Sequence, residues 1–284
     1  MDFKIDQELE DHSVVAHNYA EDSANKIHSD DFASDYGFTG GLVPGVGVYA
    51  YMTVPVVKAL GKDWLERGSM SSKFIKPIYD GEHVTVKTKI TSLEPLQFVV
   101  SALNEAGELC AVAQASLPDW HGDEVHAYDY PLAAMPLEAE RLPAEISQFR
   151  DNQLLGTLDY TVDVKSLEGE FSNFLNDMRD PLNIYHGKNA LCHPALVAHQ
   201  ANQVLARNVD LGPWIHTASD VRHHALPDHG EVVSLRGKIA HKYTKRNHDI
   251  AVLDLALFGN EDRLLTHMTH TAIIKPALKK ATGA

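Results

Sequence analysis

The chain has 284 residues, enough for one large or two ordinary domains, and its 44% hydrophobic content supports a full core and excludes global disorder. A net charge of −14 argues against a nucleic-acid partner, because phosphate recognition needs a basic patch. The two cysteines, Cys110 and Cys192, form neither a disulfide framework nor a Cys-x-x-Cys metal motif and read as thiols of a reducing cytosol.

The N-terminal segment MDFKIDQELEDHS is charged and lacks the apolar core of a signal peptide. No apolar run approaches the roughly 18–20 residues of a bilayer span, so a cytoplasmic protein with no membrane contact is expected. A polar stretch carrying Asn25 and His28 then runs into the turn-rich sequence Gly-Phe-Thr-Gly-Gly-Leu-Val-Pro-Gly. The segment LVPGVGVYAYMTVPVVKALG is apolar nearly all round, the pattern of a fully buried helix. Pro44 suits its first turn, whereas Pro55 predicts a kink or break. Strand-like runs follow at 69–77, 82–94, 96–104 and 108–117, with a hairpin turn at 104–108. Residues 121–152 are rich in proline and acidic residues without a sustained period and read as a connector. Beyond it, strands are predicted at 231–244, 248–259 and 263–274, with turns at 245–248 and 259–262.

An internal repeat organises these elements. KFIKPIYDGEHVTVKTKI (73–90) aligns with RHHALPDHGEVVSLRGKI (222–239) at an offset of 149. Gly81-Glu82 falls on Gly230-Glu231, Val84 on Val233, and Lys89-Ile90 on Lys238-Ile239; Pro44 falls on His193 and Gly45 on Pro194. Trp64 and Trp214 lie one position off that register. Two copies of one unit are implied, spanning 1–120 and 153–284 around the connector. A helix that is apolar on every side needs a sheet that wraps it. The expected fold class is therefore α+β: a double hot dog, each repeat an antiparallel sheet curled around one long central helix. The two sheets can pair within the chain, making a monomeric pseudo-dimer, with a homodimer as the further option.

Asn25, Ile27, His28 and Asp30, the GLVPG turn at 41–45 and FIKPIYDGEHVTV at 74–86 together resemble the MaoC-like hydratase/dehydratase branch of the hot dog superfamily. The resemblance implies an enzyme acting on acyl thioesters, of coenzyme A or a carrier protein, with no cofactor and no metal. It implies His28 as acid/base, Asn25 as the group that orients water or the imidazole, and the N–H groups of Gly45 and Val46 as donors to the thioester oxygen. The acid that the family carries five residues before its histidine is replaced by Ser23, with Asp22 one residue away. On an extended segment that shift turns Asp22 to the other face. In the second half Asp180 stands in the acid's place, Tyr185 in the histidine's, and His193 at the helix start. By the same analogy the first half is active and the second makes room for the acyl chain.

The implied reaction is reversible addition of water to a 2-enoyl thioester. Hydrolysis of an acyl-CoA thioester, or acyl-thioester or small-ligand binding without catalysis, are the alternatives. The histidine-rich run holding His216, His223, His224 and His229 invites a metal reading, but neighbouring His223 and His224 point to opposite faces of a strand. Lys242, Tyr243, Lys245 and Arg246 read as a solvated turn, with a thioester-carrier phosphate as the alternative contact.

Overall fold

The computed structural model describes residues 2–119, 125–166 and 168–278. The first half contains strand β1 (His12–Val15), helix α1 (Gly45–Leu60), the short helix α2 (Lys62–Arg67), and strands β2 (Ser69–Phe74), β3 (His83–Leu93), β4 (Leu96–Leu103) and β5 (Leu109–Leu117). The second contains β6 (Gln153–Thr161), helices α3 (Glu170–Met178) and α4 (Leu196–Asn208), and strands β7 (Ile215–His223), β8 (Val232–Lys245), β9 (His248–Phe258) and β10 (Leu264–Lys275). All these strands join in one ten-stranded sheet, in the order β1-β3-β4-β5-β2-β7-β10-β9-β8-β6.

The halves meet at β2 and β7, which pair antiparallel. Ser71 lies opposite Asp220, its own counterpart at the 149-residue offset, so the pseudo-twofold axis of the molecule passes through that pair. The repeated Gly-Glu dipeptide has a local cause. Gly81 and Gly230 both adopt positive φ (77° and 83°), a conformation open to glycine at no steric cost. The glutamate that follows then closes the turn: Glu82 accepts the N–H of Tyr79 at 2.9 Å, and Glu231 that of Asp228 at 2.8 Å. The strongest sequence signal of the repeat thus encodes the turn that launches β3 and β8.

The two central helices differ. Every residue of α1 from Val46 to Val57 is buried, as its all-round apolarity requires. Pro55 sits inside it without ending it: the helix runs to Leu60, so of the expected kink or break, the break does not occur. Helix α4 buries Leu196, Val197, Ala198, Ala201, Val204 and Leu205, and its remaining face carries His199, Asn202 and Gln203. A single apolar cluster runs through both halves. Helix α3 adds an element to the predicted set: Phe171, Phe174, Leu175 and Met178 follow a helical period and all four are buried. The connector is strapped to the outer face of the sheet by Tyr130, whose hydroxyl donates to Asp254 at 2.8 Å. The Lys242–Arg246 group occupies the β8–β9 hairpin, where Arg246 and Asn247 take positive φ, and it lines neither cavity described below.

Candidate active site

The segment before α1 is built to hold His28. Residues 19–24 form turns rather than an extended strand, with the Ser23 N–H donating to the Ala20 carbonyl at 2.9 Å. Asn25 caps the short 3-10 turn Lys26–His28, accepting the Ile27 N–H through its side chain. Ile27 is fully buried in a small satellite cluster with Ala33 and Leu42, which anchors the overhang. The His28 carbonyl accepts the Asn18 amide at 2.7 Å. A Cβ on Gly41 would lie 2.1 Å from that carbonyl oxygen, so the second glycine of the GG pair is needed for the chain to pass there. Asp30 accepts the Gly41 N–H at 2.7 Å and closes the loop.

This arrangement sets the tautomer of His28. Its Nδ1 lies 2.7 Å from the Leu42 carbonyl oxygen, which can only accept, so the proton is on Nδ1. Nε2 then carries a lone pair, 3.3 Å from the amide nitrogen of Asn25. The same amide donates to the Trp214 carbonyl at 2.9 Å, and Asn25 Oδ1 accepts the Trp214 N–H at 3.1 Å. Asn25 is therefore clamped to the backbone of the other half. Burial lowers the His28 pKa, partly offset by the Leu42 contact, which leaves a neutral imidazole with a basic Nε2.

His28 stands where two cavities meet. The first, about 210 Å³, is lined mainly by apolar groups such as Phe38, Val48, Phe74 and Ile273, together with Gly45 and His216. The second, about 510 Å³, is more polar and includes Ser23, Glu138, Arg141, His199 and Asp210. Asn25, His28, Pro44, Asn202 and Trp214 border both. Gly45 opens α1, where the first N–H groups have no intrahelical acceptor and the helix dipole favours negative charge. Val46 is buried and lines neither cavity. Ser23 faces the polar cavity, but its hydroxyl donates to the Asn25 carbonyl at 3.3 Å. Asp22 is exposed and lines neither cavity.

The second half brings its candidates together in a closed space. His193 Nε2 lies 3.1 Å from Asp180 Oδ2, with both side chains essentially inaccessible. His193 Nδ1 accepts the Ala195 N–H at 3.1 Å, so the proton is on Nε2 and is donated to the carboxylate. The other carboxylate oxygen accepts the Leu182 N–H at 2.8 Å. The Tyr185 ring packs 4.5 Å from the His193 ring, and Phe174 of α3 packs 5.6 Å from it. The cavity that His193 borders is about 30 Å³, the space of a single water.

His216, Asn202, Arg141 and Trp214 join the site only in the tertiary structure. The sequence placed His216 among the strand histidines without a role. Its contact with the start of α1 depends on the β2–β7 junction, which no local pattern reports. Among the described residues no group of three or more His, Cys, Asp and Glu side chains is disposed to hold a metal, and no helix is long and apolar enough to cross a membrane.

No family model and no curated protein matches the chain. Solved structures do. A MaoC domain protein from Chloroflexus aurantiacus J-10-fl, described as a proposed dehydratase, superposes with a TM-score of 0.69 over 97% of each chain at 10% identity. A conserved hypothetical protein of Mycobacterium tuberculosis with a double hotdog fold gives 0.63 at 15% identity, over 95% of this chain and 96% of its own. A proposed oleoyl thioesterase from Lactobacillus plantarum gives 0.55 at 11% identity, over 96% and 98%. Likeness at these identities is one of fold, shared by proteins named for different reactions. The ten-stranded sheet, the two central helices and these superpositions together identify the chain as a double hot dog protein.

Proposed function

We propose that the protein is an enoyl-thioester hydratase/dehydratase, with the apolar cavity holding the acyl chain, the polar cavity holding the arm that carries the thioester, and His28 between them. The observation that carries this reading is the neutral imidazole of His28, its Nδ1 fixed on Leu42 and its Nε2 lone pair turned to Asn25 at the meeting of the two cavities.

In the hydration direction, Asn25, clamped to Trp214, orients the imidazole, and His28 Nε2 takes one proton of a water that enters beside it. The remaining hydroxide bonds to C3 of the enoyl group. The C2=C3 π pair moves onto C2 and the thioester carbonyl, whose oxygen gains negative charge beside the N–H groups of Gly45 and the start of α1. The imidazolium of His28 then returns its proton to C2, so one group serves as base and acid and the balance is one water added.

The carboxylates that line the site, Glu138 and Asp210, belong to the polar cavity and none lines the apolar one, which supports this reading over hydrolysis by a carboxylate-activated water at the acyl end. The same feature, with Ser23 in the acid's place, also supports a second reading: a protein that binds acyl thioesters without turning them over. Crotonyl-CoA and longer enoyl-CoAs separate the three. Loss of the enoyl absorbance that disappears in His28→Ala is the expected result. Thiol release from saturated acyl-CoAs instead identifies hydrolysis, and tight binding with neither signal identifies a binding protein.

A further inference from the structure

Arg141 lines the polar cavity with a charge that no group among the described residues balances. Its Nε is inaccessible and lacks a hydrogen-bond partner, whereas the two terminal nitrogens remain accessible and make no ion pair there. Glu138 and Asp210 line the same cavity, and neither pairs with it. Other arginines do find partners: Arg236 meets Asp262 at 2.6 Å, and Arg263 meets Glu231 at 2.9 Å. Carboxylates outnumber lysines and arginines by 39 to 25 in this chain, so an unpaired guanidinium in a cavity wall is an exception. Partial burial strips water from the charge, and an incoming anion restores what was lost.

The connector is shaped to put the arginine there. Residues Glu138–Glu140 form a 3-10 turn, closed by the Glu140 carboxylate, which accepts the Leu137 N–H at 3.1 Å. Directly after Arg141, Leu142 and Pro143 pair in parallel with Val209 and Asp210 at the end of α4. Arg141 is therefore held between a turn and a strand pair, beside the C-terminal end of that helix. Asn202, which borders both cavities with His28, precedes Val209 by two helical turns, about 10 Å along the axis. That separation decides which anion fits. A carboxylate on the reacting acyl group would lie beside His28, whereas the phosphate of a pantetheine arm lies at the end remote from the sulfur.

Resting on the reading of the polar cavity as the channel for the thioester-bearing arm, we propose that Arg141 binds the phosphate at the far end of that pantetheine arm. The connector, and not either repeat, then supplies the anchor for the carrier. A guanidinium offers two parallel N–H groups to two phosphate oxygens, a match of shape as well as charge. Between Arg141 and His28, the polar face of α4 presents His199, Asn202 and Gln203 to the amides of the arm. Glu138 and Asp210 repel further negative charge, which limits the site to one phosphate. The contact is remote from the reacting carbons and equal in ground and transition states, so it acts on KM and leaves the chemical step alone.

The test compares the crotonyl thioesters of pantetheine and of 4′-phosphopantetheine on the full-length protein at low ionic strength. The two differ only in the phosphate. In the wild type the phosphate should lower KM about tenfold, the worth of one charged hydrogen-bond pair, with kcat differing little. In Arg141→Gln the ratio of the two KM values should fall to about one, and Arg141→Lys should restore part of it. Crotonyl-CoA and a crotonyl-loaded carrier protein, run in parallel, identify the source of the phosphate as the one whose KM rises more in Arg141→Gln. A wild type that does not distinguish the first pair, or a phosphate effect that survives in Arg141→Gln, overturns the proposal. Calorimetric binding of 4′-phosphopantetheine against pantetheine reads the same difference without turnover. A preference that depends on Arg141, with no thioester hydrated, sinks the hydratase reading and leaves the phosphate site in place.

Discussion

The N-terminal half has an open cavity and no carboxylate within reach of its histidine, and the C-terminal half has a carboxylate–histidine pair and little space beside it. At Pro44 and Gly45 the chain leaves about 210 Å³ in front of the helix, whereas at His193 and Pro194 about 30 Å³ remains. Phe174 and Tyr185 account for the difference, since both pack on the His193 ring. Of the two repeats, one thus has the space and the other the carboxylate. The lesson is that a matching residue pair is not a site unless a substrate can reach it, and that room without a matching pair can still be a site if other residues supply the chemistry.

The comparison can be broken at its strongest point first. If the open half alone is active, His28→Ala should lower crotonyl-CoA hydration by about 10²–10⁴-fold, the usual worth of a positioned acid/base. Unfolding by urea should report no comparable loss of stability. The closed half should behave in the opposite way. Asp180→Ala leaves His193 buried without its acceptor and should cost about 3 kcal/mol in the urea midpoint, while turnover per folded molecule changes less than about twofold. A large loss of turnover with intact stability in Asp180→Ala would reverse the assignment of the two halves.

A third prediction concerns the seam between the halves. Gly45→Ala places a Cβ 2.9 Å from His216 Nδ1 and 3.2 Å from Phe74. The imidazole or the start of α1 must give way, and turnover should fall roughly tenfold from displacement of the Gly45 N–H, with a crystal structure showing the shift.

Acid is a gentler probe. Burial depresses the folded-state pKa of His28, His199, His216 and His270 below 6.5, the last to about 3. Below pH 6.5 the unfolded chain therefore binds protons that the folded chain refuses, so stability present at neutral pH is lost progressively as pH falls toward the lowered values. Melting temperature should drop between pH 6.5 and 4.5, and kcat/KM should fall only once pH passes below the depressed pKa of His28. The smallest effect is expected at Ser23, whose hydroxyl is spent on the Asn25 carbonyl at 3.3 Å. Ser23→Ala should change turnover by about threefold or less, within the worth of one weak hydrogen bond.

Much of this architecture was legible before any coordinates. Strand limits from the period-2 pattern match β3, β4, β5, β8, β9 and β10 to within a residue or two, because alternation is forced on a strand whose one face packs on a helix. The structure then sets two residues related by the 149-residue offset, Ser71 and Asp220, opposite each other at the junction. Of the kink or break that interior Pro55 predicts, the break does not occur, because a helix buried on every side is held by its packing. Strand alternation would turn Asp22 away from the site, but residues 19–24 are turns, so its exposure follows from the turn.

What the sequence alone determined is therefore local and periodic: the repeat, the wrapped helix, the Gly-Glu turns and the His28 overhang, each set by contacts between residues close in the chain or by the period of a buried face. What only the tertiary structure decided is which half is open and what surrounds His28. The clamp between Asn25 and Trp214 joins residues 189 positions apart, and the approach of His216 to Gly45 crosses the same seam. Such contacts depend on strand register and packing across the β2–β7 junction. They leave no local pattern, because the physical constraint acts on the distance between side chains in space and not on their order in the chain.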